Sequence, residues 1–240
     1  MKIAAFSDIH SNIYALRAVL KEVDQEHVDM IVCGGDLVGY GPNPNEVIET
    51  ISERNIQTVL GNYDEGIGFN KDDCGCEYLT QKDQEIGHLS LEWTKKYVSD
   101  ENKAFLRGLP RQIRWEIEGK QVMLVHGSPR RINEYIFENR PLDSIVNMLK
   151  SDEIDVLLFG HTHIPFHRVI DGIHFVNVGS VGKPKDGDPR ACYTVIEVGK
   201  SVEVSVRRVT YSVDVVMKDI VQKGLPAELA EALMKAGKQS

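Results

Sequence analysis

The first sixty residues alternate between two periodicities, and that alternation constrains the fold more than any other feature. Lys2–Ser7 is a short apolar run of strand character. Asn12–Gln25 then carries Ile13, Leu16, Val19, Leu20 and Val23 at helical spacing. Asp29–Cys33 is a second β-prone run, and Ile56–Leu60 a third. Between them Pro44, with Asn43 as its cap, opens a helical segment through Glu53. Strand–helix–strand–helix–strand predicts an α/β fold that starts with parallel pairing.

The pattern changes after the third run. Residues 65–110 contain two helical stretches, Leu79–Val98 and Glu101–Leu109, the second capped by Ser99 or Asp100. They are expected to form a helical cap inserted between strands. Leu91 and Trp93 are expected to pack it onto the core, and His88 to be structural. Strand patterns return over Gln112–Gly119, Lys120–Gly127 and Ile154–Gly160, with a helix over Pro141–Lys150. "FHRVI" and "IHFVNVG" flank a "DG" turn, the signature of a hairpin, and "ACYTVIEV" and "SVEVSVRRVTY" follow. The second half is therefore expected to favour antiparallel pairing, and a mixed β-sandwich with helices outside fits both halves. One domain over residues 1–212 is expected, with residues 213–240 packed on it as two short helices broken at Gly224–Pro226.

A net charge of −8 over 240 residues argues against binding nucleic acid or an anionic membrane by bulk charge. It leaves room for a locally positive pocket. The N-terminal apolar run is too short for a signal peptide, and no stretch approaches the ~18 apolar residues of a membrane span. Four cysteines make no disulfide framework, so a cytoplasmic location is expected. Cys33 and Cys192 sit in strand-like runs and are expected to be core thiols. In "DCGC", Cys74 and Cys76 are too close for an easy disulfide. A structural loop in the cap is the expected role there.

Side chains able to bind metal recur just past the β-prone runs. "SDIH" supplies Asp8 and His10, "GGDLVGYG" Asp36, "GNYD" Asn62, "VMLVHGSP" His126, and "VLLFGHTHIP" His161 and His163. Sites in α/β sheets form outside the carboxyl ends of strands, so these seven candidates at five strand ends can face one cleft. Asp-x-His and His-x-His let two side chains leave an extended segment on the same side. Imidazole with carboxylate suits Mn, Fe, Zn, Co or Ni better than Mg or Ca. One carboxylate, best Asp36, can bridge two ions. Each piece alone has an ordinary reading: a helix cap at Asp8, a turn at Asp36, a left-handed turn at Asn62, a hydrogen-bonded core histidine at His126. All five in one order do not.

In that order "DIH" (8–10), "GDLVGYG" (35–41), "GNYD" (61–64), "HG" (126–127) and "GHTH" (160–163) resemble the calcineurin-like metallophosphoesterases, and "NVGS" (177–180) fits the same fold. Within them the chain is similar to the small bacterial and archaeal phosphodiesterase branch, and to proteins described as diadenosine tetraphosphatase-like or protein-phosphatase-like. The resemblance implies a four-layer αββα sandwich of two mixed sheets flanked by helices, holding two divalent ions. Asp8, His10 and His163 would hold one ion and Asn62, His126 and His161 the other, with Asp36 bridging. Manganese is the expected ion, with iron, zinc, nickel or cobalt as alternatives. The implied activity is hydrolysis of a phosphate ester, foremost a diester, by in-line attack of a hydroxide bridging the metals. The substrate would be a small phosphate ester or nucleotide. Asp36, Asn62, Tyr63, Asp64 and His126 form the implied catalytic group. Retromer-type subunits have a similar fold and supply the alternative, an interaction scaffold. Degraded ligands would mark it, and here all seven are present.

One position departs from the pattern. Many members carry His where this chain has Tyr63. A phenol can donate a hydrogen bond to a phosphoryl or leaving-group oxygen but is a weaker acid than imidazolium. Asp64 is expected to orient it or to cap the turn. Arg130 and Arg131, just after His126, are expected to clamp substrate phosphate. Lys183 and Arg190, in "GSVGKPKDGDPR", are lesser candidates.

Overall fold

The computed structural model describes residues 1–78 and 80–236. Leu79, where the expected cap helix begins, and residues 237–240 of the C-terminal segment lie outside the described residues. The opening alternation is present as β1 (Lys2–Phe6), α1 (Ile13–Val23), β2 (Met30–Cys33), α2 (Pro44–Glu53) and β3 (Gln57–Thr58). β1, β2 and β3 pair in parallel, because a helical crossover returns each strand in the same direction. β9 (Ala191–Val198) lies antiparallel on the other side of β1, and β10 (Val202–Val209) antiparallel beside β9. The first sheet therefore has the order β10-β9-β1-β2-β3.

The second sheet contains β4 (Gln112–Ile117), β5 (Lys120–Val125), β6 (Val156–Phe159), β7 (Phe166–Ile170) and β8 (Ile173–Asn177), in the order β4-β5-β6-β8-β7. Antiparallel pairs outnumber parallel ones in the second half, as expected, but the centre of this sheet is parallel. β5, β6 and β8 are parallel, and only the edge strands β4 and β7 run against their neighbours. The intervening α6 (Asp143–Ser151) makes the β5-to-β6 connection a crossover, and β7 takes the outer edge so that β8 lands beside β6.

Side-chain alternation builds the layers. Ile3, Ala5 and Val32 of the first sheet meet Val122, Leu124, Val156 and Leu158 of the second in one buried cluster between the sheets. The opposite faces of the same strands bury Ala4, Phe6 and Cys33 under α1 and α2, and Met123, Leu157 and Phe159 under α6. Each fully buried branched or aromatic side chain contributes about 1.5–3 kcal/mol of transfer free energy. The result is helix, sheet, sheet, helix, as the resemblance implies. Cys33 and Cys192 are buried thiols within it.

The end of the opening alternation also departs from the sequence reading. The run Ile56–Leu60 gives only the two-residue β3, and a helix the periodicity did not announce, α3 (Asn62–Gly68), starts at Asn62 itself. Gly61 is its N-cap, and the Asp64 carboxylate accepts from the Gly61 N–H at 3.0 Å. The insert helices follow as α4 (Gln81–Tyr97) and α5 (Asp100–Arg107), the latter capped by Ser99, whose hydroxyl accepts from the Asn102 N–H. Leu91 joins the core cluster as expected. Trp93 does not: it packs on the C-terminal helices α7 (Val213–Gln222) and α8 (Ala227–Lys235), donating from Nε1 to the Lys223 carbonyl at 2.9 Å.

Candidate metal centre

The seven expected ligands come together. All are buried, and they are delivered by the loops after β1, β2, β3, β5 and β6. Five of them, Asp8, His10, Asp36, His161 and His163, have left-handed backbone with φ between 49° and 66°. For a residue with a side chain this costs roughly 1–2 kcal/mol, and such strain gathers at functional sites. It turns each side chain sharply off the end of its strand. Close approach of the loops depends on glycine: a Cβ on Gly160 would lie 2.4 Å from Asp8 Oδ2.

Two clusters result, Asp8 with His10 and His163, and Asp36 with His126 and His161. Asn62 joins the second, its Oδ1 lying 2.9 Å from His126 Nε2. Asp36 Oδ2 sits between them, 3.8 Å from His10 Nε2 and 3.5 Å from His126 Nε2. Its other oxygen accepts from the Tyr63 N–H at 2.8 Å, which fixes the carboxylate plane.

The donor set fits divalent ions. Backbone carbonyls of Val38, Gly34 and Lys183 engage Nδ1 of His10, His126 and His163 at 3.1, 2.8 and 2.6 Å. A carbonyl only accepts, so each Nδ1 carries the proton and each Nε2 presents a lone pair. His10 Nε2 and His163 Nε2 nevertheless face each other at 3.2 Å. His126 Nε2 likewise faces an amide oxygen. Asp8 Oδ1 and His161 Nε2 are buried without a hydrogen-bond partner among the described residues. Acceptors gathered this closely repel one another unless a cation lies among them.

Protonation agrees with that geometry. Burial lowers the pKa of His10, His126 and His161 below the usual range. Burial, then the nearby Lys185, brings His163 down to about 4. Burial alone would raise the Asp8 carboxyl, but the adjoining His163, with His126 and His10, holds it well below the carboxylate range. Asp36 is pushed up by burial and then by the neighbouring Asp64 and Asp8 carboxylates.

Beside the clusters is a cavity of about 440 Å³. His10, Asp36, Asn62, His161 and His163 form its floor. Tyr78, Lys82, Asp83 and Ile86 wall it from the insert, and Glu228, Leu229, Ala232 and Lys235 from α8. Lys82 and Glu228 pair across the two walls at 3.3 Å. Tyr40, Tyr63 and Tyr135 add aromatic surface, Tyr135 lying 4.1 Å from the His161 ring between centroids.

The other expected site residues are distributed differently. Arg130 and Arg131 are not in the cavity wall; the Arg130 guanidinium is engaged by Glu134 and Ser144. Arg190 is paired with Asp188 at 2.6 Å. Lys183 does line the cavity, its ammonium 3.9 Å from the Tyr40 ring centroid, and Lys185 of the same loop joins it. No carboxylate pairs with either lysine among the described residues. Asp64 faces away from the cavity. Its oxygens accept from the N–H groups of Leu37, Val38 and Gly61 at 2.8, 3.3 and 3.0 Å, so it joins the β2 and β3 loops. Tyr63 is 1% exposed, with its hydroxyl 3.4 Å from that of Tyr78.

Cys76, Tyr40, Tyr78, Tyr135 and Lys185 are cavity residues that sequence reasoning did not select. Only Lys185 carried a usable signal, as a second cation two residues from Lys183 in a glycine-rich loop. The three tyrosines arrive from three separate segments and share no spacing.

Comparison with known proteins gives a consistent family. The model described as "Calcineurin-like phosphoesterase superfamily domain" matches residues 1–201. An uncharacterized protein of Methanocaldococcus jannaschii is 36% identical, over 96% of each chain. The crystal structure of a metallophosphoesterase from Sphaerobacter thermophilus is 32% identical over 98% of this chain and 99% of that one, with a TM-score of 0.77. The phosphodiesterase YfcE of Escherichia coli is 25% identical over 82% of this chain and 88% of its own.

Proposed function

The chain belongs to the calcineurin-like phosphoesterase superfamily, and on that premise we propose that it is a metal-dependent phosphodiesterase acting on a small phosphate ester. One observation carries the reading. Asp36, a member of one of two buried three-residue clusters of metal-ligand type, also lies within 3.8 Å of His10 in the other, at the floor of a cavity. Asp8, His10 and His163 would hold one divalent ion, Asn62, His126 and His161 the other, and Asp36 both. A bound pair of such ions supplies a strongly acidified water and offsets negative charge on phosphoryl oxygens.

The chain's own residues do the rest. The carbonyls on Nδ1 keep His10, His126 and His163 in the tautomer that offers Nε2. Lys183 and Lys185, both free of carboxylate partners among the described residues, bind non-bridging phosphate oxygens in place of the arginines expected there. Tyr63 donates from its hydroxyl to a phosphoryl or leaving-group oxygen once Tyr78 gives way. The cavity suits a small molecule: about 440 Å³ lies in the common range of ~300–1,000 Å³ for such sites. Walls from the insert and α8 would select the group esterified to phosphate. The diester preference follows from a phenol at position 63, which assists poor leaving groups less than imidazolium does.

The test is metal-free protein reconstituted with Mn, Fe, Zn, Co or Ni and assayed on an aryl phosphodiester, an aryl monoester, cyclic nucleotides and diadenosine polyphosphates. Manganese is expected to restore the highest rate, with diester above monoester. Full activity in protein that holds no metal would overturn the reading.

A further inference from the structure

Asn62 is the one amide among the seven ligands, and an amide can turn either end to a cation. Only its oxygen binds. In the structure Nδ2 donates to the Cys74 carbonyl at 3.0 Å and to Cys76 Sγ at 3.2 Å, which leaves Oδ1 against His126 Nε2. Both acceptors belong to the Cys74–Gly75–Cys76 turn. Gly75 has φ +67°, a conformation that favours glycine, and this folds the two sulfurs to within 2.9 Å of each other. The turn is itself held from the far side, where Asn133 Nδ2 donates to the Gly75 carbonyl at 2.9 Å. Cys76 lines the cavity and Cys74 is buried behind it.

We propose that Cys76 is a positioning residue for the second metal subsite, its sulfur and the Cys74 carbonyl holding the Asn62 amide with oxygen towards the ion. The proposal rests on the metal reading above. Two acceptors on one NH₂ leave the amide no reason to flip. Drawing hydrogen-bond density to the nitrogen also makes the oxygen a better donor to a cation. Cys74 supports Cys76 in turn, through the S–H···S contact. Asp8, His10 and His163, which would hold an ion in the first subsite, touch none of this, so the effect would be confined to one of two binding events. This gives "DCGC" a role beyond a loop in the insert.

The experiment is calorimetric titration of metal-free protein with Mn²⁺, supported by the visible spectrum of the Co²⁺ form. Cys76→Ala is expected to weaken one of two binding events about 10- to 100-fold, the usual cost of losing a partner that orients a ligand. The other event stays unchanged. Cys76→Ser, whose hydroxyl also accepts from Nδ2, is expected to recover most of the loss. In the background of Asn62→Asp, which has no Nδ2, Cys76→Ala is expected to cost nothing further. The proposal fails if wild-type protein binds two ions and Cys76→Ala matches it, if both events weaken together, or if Ser is as weak as Ala. It also fails if the loss from Cys76→Ala persists unchanged in the Asn62→Asp background. Wild-type protein that binds no metal at all would instead overturn the metal reading. Thermal melts of the metal-free variants identify any that do not fold, and Cys76→Ser alone then decides through its Co²⁺ spectrum: a wild-type ligand field supports the proposal and a collapsed one overturns it.

Discussion

Gly61 and Asp36 lie so close that a Cβ on Gly61 would sit 2.2 Å from both the backbone nitrogen and Oδ1 of Asp36. The end of β3 is thereby pressed against the end of β2, and Asn62 and Asp36 enter one site. Gly61→Ala must displace one loop from the other. Overpacking of this kind costs about 1–3 kcal/mol. The expected outcome is folded protein with a lowered melting temperature and less than two bound metals per chain, read by thermal melt and elemental analysis.

Asp36→Asn keeps the shape and removes the charge shared by both clusters. Activity is expected to fall ~100-fold or more, because both ions lose an anionic ligand at once. Elemental analysis after reconstitution is expected to drop from about two metals per chain to one or fewer. Two retained ions would contradict a bridging role.

Metal-free protein is expected to lose stability in acid. An ordinary histidine takes up its proton near ~6.5 in the unfolded chain. His163 does so in the folded chain only at about 4, and burial lowers His10, His126 and His161 as well. The unfolded state therefore binds more protons as pH falls from 6.5 towards 4, and the stability present above 6.5 is lost across that window. His163 alone accounts for on the order of 3 kcal/mol. Asp64, raised by burial to about 7, and Asp36, also pushed up by burial, oppose this with the reverse sign, as two groups against four. Urea midpoints at pH 7 and pH 5 give the measurement, and an equal or higher midpoint at pH 5 contradicts the assignment.

Lys183→Met removes an amine, brought down to about 7 by burial and then by Lys185, that a phosphate would keep protonated, while sparing the Lys183 carbonyl that holds His163. A charge-assisted bond to phosphate is worth about 1.5–3 kcal/mol. KM is expected to rise ~10-fold or more with metal content unchanged. Arg130→Met, outside the cavity wall, is expected to leave KM within about twofold, and steady-state kinetics on one aryl phosphodiester compare the two.

Tyr63→Phe is expected to lower the rate about 2- to 10-fold, the worth of one neutral hydrogen bond. Tyr63→His is expected to recover activity selectively on poor leaving groups. A series of aryl and alkyl diesters with graded leaving-group pKa checks both. Equal rates for Tyr and Phe throughout would leave the hydroxyl without a chemical role.

The placement of the candidate ligands and the layering were readable in the chain because both follow from local repetition. A strand alternates sides at every residue, so Ile3 and Ala5 turn one way and Ala4 and Phe6 the other whatever they meet. A polar residue just past such a run stands at a sheet edge, which places Asp8, Asp36, Asn62, His126, His161 and His163 at one rim. Other features depend on partners far away in sequence. The helix at Asn62 is nucleated by Gly61 and Asp64 against the Asp36 loop, not by periodicity. The parallel centre of the second sheet depends on which edge β7 takes. Lys183 lines the cavity and Arg130 does not, because Glu134 engages the arginine and the Lys183 carbonyl is held against His163. Cys76 reaches Asn62 only because Gly75 turns the insert back across the site. Distance in the chain hides such contacts: the interactions are short-ranged in space, and only the folded arrangement decides which groups come within that range.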